Sequence, residues 1–450
     1  MGLIKKIARD ESGSALITVL IIAVIVSLFI GAVLSGIVLQ SRFIQQDINQ
    51  TKALYKAESG LYTFLNQYQP NSILSDTTLQ MEDVELHVSN YGGFWDISSK
   101  TGVQNQDREI RVLVGEQSSY IFEHAVAIGD TNSALTLTGS TQINGDVITG
   151  KNGVRETSFK GFPFSGSLDG DTKRYSPDSL FPDYNIGSFS FQEERYEGLL
   201  EETRNTSYPA NFRQVNARLI EAKDTLFFNE GLVMESNTPL QLPQDVVYVI
   251  KGNARVEGDI SFGAFSKVIV EDTLKINGEV SGSNLLLYSG TRTEIGGKVQ
   301  LSGQVHSKGE IVLSEDAYLE YPSLLYSSKE FFGGEDREVI HLKDNSVIDG
   351  TIVYPFQAST FTQELFKVKV DKQATVRGGI YTGALTELEG KVWGSVLTHQ
   401  FYFYESPTTY INWLKDVNID VTQRPENYVL PLGFSDTTKY AILNWFEVTE

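Results

Sequence analysis

Two carboxylates stand out by position. Asp259 in VEGDI and Glu279 in INGEV each follow the glycine of a short apolar-x-Gly-x-apolar motif, and Lys298 holds the same place in IGGKV. If these motifs stack in register, the three side chains form a column on one surface. Paired carboxylates can do acid–base work on a glycosidic bond or bind Ca²⁺. With a lysine next in line, a solvated ladder of charge is the plainer reading. Asp169 and Asp171 in SLDGDT resemble the start of a Ca²⁺ loop but lack its full ligand series and its terminal glutamate. The five histidines, His87, His124, His306, His341 and His399, have no metal-ligand spacing. The absence of cysteine removes thiolate metal sites, cysteine nucleophiles and disulfides together. No nucleophile-elbow serine, Walker phosphate loop or dinucleotide-binding fingerprint occurs. Phe401, Tyr402, Phe403 and Tyr404 in HQFYFYES could stack on sugars, or alternate in and out of a strand core. No cofactor is implied, and Ca²⁺ is the one metal that any of these clusters suggests.

The elements that would position these residues begin with a membrane segment. Residues 16–39, LITVLIIAVIVSLFIGAVLSGIVL, carry no charge, and about 20 apolar residues span a bilayer as a helix. Lys5, Lys6 and Arg9 precede the run, which places the N-terminus in the cytoplasm and the bulk of the chain outside. A secretory signal would have a shorter apolar region and a small-residue cleavage site beyond it; here QSRFIQQD follows. No proline occurs before Pro70, and the helical pattern continues past the membrane. Ile44, Ile48, Tyr55, Tyr62 and Leu65 recur at helical spacings, widened by Phe43, Leu54, Leu61, Phe64 and Tyr68, and predict the face that packs on a globular domain. Over 14–68 the helix would be roughly 80 Å long. Ser27, Gly31 and Ser35 are four apart on one face, where small residues let helices approach closely; glycine is also simply tolerated in membrane helices.

The sequence ESGSALITVL puts Gly13 at the border between charged leader and apolar helix. This resembles the leader of type IV pilins and type II secretion pseudopilins. The resemblance implies a leader over 1–13, cut after Gly13 on the cytoplasmic side by a prepilin peptidase that methylates the new amine of Ser14. It also implies other pilin-like subunits as partners. Most of that family carries glutamate five residues into the mature chain; here Thr18 stands there. That departure is closer to minor pilins of the PilX kind and to pseudopilin K, and it favours a tip, low-copy or initiating subunit over a repeating one. KAESGL at 56–61 and FWDISSKTG…REIRVLV at 94–114 are similar to segments of PilX-like proteins.

Beyond the helix the chain is mainly β. Residues 71–124 read as a small sheet of three strands, near 84–88, 94–98 and 108–114, on period-2 alternation with Gly/Asn turns. Over 125–404 the apolar-x-Gly-x-apolar motif recurs at 143–147, 256–260, 276–280, 295–299, 301–305, 348–352, 376–380, 388–392 and 392–396. Gly258, Gly278 and Gly297 are twenty and nineteen residues apart. That period predicts a parallel β-helix solenoid, with glycine supplying positive φ or close packing at a corner; a β-sandwich is the second fold. ALTLTGSTQINGDVITG and LSGQVHSKGEIVLSEDAYLEY resemble bactofilin-like repeats. Residues 151–242 read as an insertion, loop-like at first and then helical, that caps the solenoid. Residues 405–450, with Trp413 and Trp445, read as a C-terminal cap.

The net charge of −20 excludes nucleic acid as a partner. The expectation is a single-pass inner-membrane protein with its bulk in the periplasm or at the cell surface. It would be a pilin-like minor subunit exposing a β-helix for pilus or pseudopilus assembly, adhesion or contact with surface polysaccharide. The alternative is a membrane-tethered β-helix enzyme acting on extracellular polysaccharide.

Overall fold

A computed structural model describes residues 3–67, 76–81, 83–104, 106–117, 120–130, 132–174, 181–202, 208–212, 220–314, 316–330, 338–356, 366–434 and 439–448. The fold is mainly β behind one long N-terminal helix, α1 (Leu3–Gln67). The second helix, α2, spans Gly187–Glu201. Tyr68, at the expected end of α1, lies outside the described residues.

Four antiparallel strands follow α1: β1 (Thr77–Met81), β2 (Val84–Tyr91), β3 (Phe94–Val103) and β4 (Gln106–Gln117). The first was not legible as a strand, and the other three are longer than the alternation suggested. The C-terminus completes this sheet. Val429–Leu430 and Tyr440–Val448 both pair antiparallel with β4. The stretch 405–450 is thus divided: Trp445 sits on the small sheet, while Trp413 pairs with Thr136 in the solenoid. The free edge of β4 offers unpaired backbone groups, and a returning strand satisfies them.

The larger sheet is a parallel solenoid. Val256, Ile276, Ile295, Leu313, Leu342, Val370 and Leu388 stand one above another in register, and all are buried. Adjacent parallel strands lie about 4.8 Å apart, so each coil buries the apolar row of the one below. A fully buried side chain of this size contributes roughly 1.5–3 kcal/mol, which lets the stack hold without disulfides. The motif glycines mark a column with no room for a side chain. Gly258 and Gly278 both have φ +101°, and a Cβ on Gly258 would lie 1.9 Å from the Ser236 carbonyl oxygen. Gly394, at φ +151°, would place a Cβ 1.7 Å from the Gly378 carbonyl oxygen.

Stacking order departs from chain order. The earliest coil of the repeat region is not the bottom of the stack. Val126 pairs with Val396 and with Val147, Ile143 pairs with Ile419, and Thr136 pairs with Trp413. The strands Ser167–Asp169 and Thr172–Arg174 then pair on top of that coil. Residues 151–242 are therefore not an insertion between stacked neighbours. Their first part forms the terminal coil at one end. Asn211–Phe212, Thr225–Phe228 and Leu232–Gln241 begin the stack at the other end. Of the stretch read as helical after 210, residues 213–219 lie outside the described residues, and Thr225–Phe228 is strand. The physical reason is the uncovered apolar row of the last coil, Val396, Leu414 and Ile419, which the earliest coil buries.

Candidate functional site

The described helix is exposed from residue 15 to residue 48, and its most apolar window has a mean hydropathy of 3.1. Gly13 and Ser14 lie on its helical backbone. Thr18, Ser27, Gly31 and Ser35 lie on the exposed stretch. A Cβ on Gly31 or Gly36 would meet nothing within 4 Å, so the small-residue face has no packing partner among the described residues.

The last third of α1 docks, and it uses part of the face expected: Leu61 and Phe64 are buried, with Leu54 and Leu65 packed beside them. The buried side is Asn49, Ala53, Ala57, Gly60, Leu61 and Phe64. Small residues win there because the sheet comes close: a Cβ on Gly60 would lie 2.7 Å from Val84. Phe43, Ile44, Ile48, Tyr55 and Tyr62, predicted to face the domain, are 41–67% exposed. Ile44, Ile48, Tyr55 and Tyr62 form a stripe on the outer side, joined by Trp445, whose ring lies 6.0 Å from that of Tyr62.

The small sheet is the adaptor between α1 and the solenoid. One face packs Leu86, Val88, Ile97 and Val112 under α1. The other packs Tyr91 and Leu113 against Phe265, Ile269 and Leu286 of the solenoid. Polar contacts fix the joint. Arg111 donates to both carboxylate oxygens of Asp96 and, at 2.6 Å, to Asp245 across the interface, with its guanidinium 3.6 Å above the Phe265 ring. Burial pulls Arg111 down, but the Asp96 and Asp245 carboxylates hold it above its ordinary range. Tyr91 donates from its hydroxyl to the Asn284 carbonyl. The Gln304 side chain accepts from the Gly93 amide and donates to the Tyr91 carbonyl, standing in for a strand partner at the β2–β3 turn.

These contacts orient the solenoid relative to the rod. Asn49 meets Gln104, Ala57 meets Ser99, and Phe64 lies beside Trp95; β3 thus runs back toward the apolar end of α1. Asp245 meets the sheet at Arg111, Asn284 at Tyr91, Gln304 at Gly93, and Ser395 meets Phe122 beyond β4. Coils rise away from the apolar rod, and the coil built from 126–174 is at the far end.

A second candidate lies on the solenoid flank under α2. Phe189 stacks on Tyr326 at 3.7 Å, and Tyr196 packs on Tyr288. Between these rings His306 is 2% exposed, with Nε2 2.7 Å from Glu193 Oε1. Its Nδ1 has no hydrogen-bond partner among the described residues. Glu193 also accepts from the Ser328 hydroxyl, and Lys308 pairs with Glu197. Burial holds His306 below its ordinary value, outweighing the pull of Glu193. Burial pushes Glu193 up, but the His306 and Ser328 hydrogen bonds bring it below its ordinary value. At neutral pH the pair is a neutral imidazole donating to a carboxylate. Beside it, a groove of about 620 Å³ runs between α2 and the coils that carry Lys308, Ser328 and Phe356. Nothing in the sequence signalled this site, because Glu193 and His306 are 113 residues apart.

The carboxylate column is arranged as a ladder. Asp259 is the register partner of Glu279, and Glu279 pairs at 3.1 Å with Lys298, both well exposed. Asp169 and Asp171 are exposed, and the Asp171 amide donates to Asp146. Among the described residues no three His, Asp or Glu side chains converge as a metal site. In HQFYFYES, Phe401 is buried, while Tyr404 is 51% exposed on a hairpin that leaves the stack.

No family model and no curated protein matches the sequence. Among solved structures, the competence-associated pilin ComZ from Thermus thermophilus aligns over 89% of this chain and 98% of its own, at 9% identity and a TM-score of 0.21. A TM-score of 0.21 is too low to assign a shared fold.

Proposed function

We propose that the chain is a membrane-inserted pilin-like subunit, a class defined by one helix that serves first as anchor and then as assembly rod. More narrowly, it is a minor subunit of a bacterial type IV pilus or secretion pseudopilus, cut by a prepilin peptidase after Gly13 and carrying its solenoid outward from the inner membrane. The observation that carries this reading is the outer stripe of α1. A plain anchor has no need of apolar side chains beyond the bilayer, yet Ile44, Ile48, Tyr55 and Tyr62 stay exposed opposite the docked face. A stripe at spacings of four and seven residues suits a neighbouring helix, and the Ser27–Gly31–Ser35 face suits close helix contact in lipid. Thr18 in place of glutamate favours a low-copy position. On this reading the 126–174 end is outermost, where it meets surface polysaccharide or other cells; the rise of the coils away from the rod supports it.

The catalytic alternative has less support. Asp259 and Glu279 line up along the solenoid beside Lys298, and Glu193 is tied to His306 and Ser328. Neither arrangement holds two free carboxyl groups across a cleft. Mass spectrometry of the mature N-terminus from cells tests the proposal: a methylated Ser14 is expected. An intact Met1, or cleavage beyond Leu39, would overturn it.

A further inference from the structure

We propose that the groove between α2 and the solenoid flank binds a short segment of a neutral or amine-bearing hexose chain. The groove's volume of about 620 Å³ lies within the roughly 300–1,000 Å³ typical of ligand sites. Its walls are of two kinds, as a sugar requires. Tyr184 and Phe356 are half-buried, and the Phe356 ring is braced nearly parallel to that of Tyr354, 6.1 Å away. A fixed, half-exposed ring suits the C–H face of a pyranose, which is apolar and slightly positive against the ring's negative face. Glu193 lines the same groove, a carboxylate held in place by His306 and Ser328. A carboxylate has about four lone-pair sites, so two donors leave capacity for sugar hydroxyls. Ser190, at the same rim, adds a hydroxyl.

Charge selects the kind of sugar. Asp183, Glu193 and Glu330 line the groove against Lys308 and Lys329, and those lysines already face Glu197 and Glu310. The groove thus repels uronate chains and tolerates or attracts an amine. Binding without turnover is the expected role, since Glu193 is committed to His306 and Ser328.

The test is calorimetric titration of the full chain in detergent with tetra-N-acetylchitotetraose, its deacetylated form and tetragalacturonate. Binding of at least one of the first two is expected, with none to the uronate. Phe356→Ala should weaken binding at least tenfold. Ile186→Trp should do the same by placing a bulky ring in the groove that Ile186 lines; Ile186 is 48% exposed, and unchanged amide-exchange protection of α2 confirms an intact fold. No binding to either amino sugar or to a neutral-glycan array, preference for the uronate, or affinity unchanged in Ile186→Trp would each overturn the proposal. N-terminal processing is read separately, so failure here leaves the subunit assignment standing.

Discussion

Acid is expected to loosen α2 from the solenoid flank, and His306 and Glu193 set the window. His306 is held below its ordinary value of 6.5 by burial. Its Nδ1 faces no acceptor among the described residues, and its charged neighbours are Glu193 from α2 and Lys308 from its own coil, the latter paired with Glu197. A base depressed in the folded state adds stability that is present above about pH 6.5 and lost as pH falls toward its folded value. Glu193, held below its ordinary 4.5, adds stability above about pH 4.5 that is lost below it. Each group gives a slope of at most about 1.4 kcal/mol per pH unit within its window. Protection of residues 187–201 in amide exchange should therefore be flat from pH 8 to about 6.5 and fall below that. Glu193→Ala leaves the His306 N–H buried without its acceptor, and should cost about 3 kcal/mol of local opening at pH 7.5. Glu193→Gln, which can still accept, should cost about half as much. His306→Gln should flatten the limb between pH 6.5 and 5. Protection independent of pH down to 5, or an acid limb unchanged in His306→Gln, would refute the reasoning.

Three further outcomes follow from the same geometry. Arg111→Ala leaves Asp96 and Asp245 facing each other across a half-buried joint and should destabilise the sheet–solenoid contact by about 3–5 kcal/mol, read as faster limited proteolysis between the two units. Arg111→Lys should recover only part of this, because one ammonium cannot replace the two-pronged contact. Gly394→Ala forces a side chain against the Gly378 carbonyl at positive φ and should lower stability by more than about 1 kcal/mol, seen as a lower midpoint in urea. Removing 440–448 uncovers the β4 edge and strips Tyr440 from Trp95, whose rings lie 4.7 Å apart; tryptophan fluorescence should shift to the red and the chain should aggregate.

Local pattern was enough for the rod, the solenoid class and the motif glycines. An uncharged run, the lack of proline and a near-twenty-residue period are properties of neighbouring residues, and they specify a helix or a coil wherever it ends up. The same logic found only part of the packed face of α1, Leu61 and Phe64. Ile44, Ile48, Tyr55 and Tyr62 look like a core stripe by hydrophobicity, but Ala53, Ala57 and Gly60 let the sheet approach, and close backbone approach beat side-chain size. It failed for Glu193 and His306, since no local pattern couples residues that meet only when α2 lies along the flank.

The amino-acid sequence by itself determined that this protein carries one long N-terminal helix, uncharged over 16–39, and builds a parallel stack of short strands. Tertiary structure decided the rest. It seated the earliest coil on the latest, because the exposed apolar row of Val396, Leu414 and Ile419 had to be buried by something and the residues at 126–149 fit it in register. It returned the C-terminus to β4, because an unpaired edge has backbone groups to satisfy. It also made a groove where α2 crosses the flank. Each is a contact between distant parts of the chain, and the free energy that selects it exists only once both surfaces have formed.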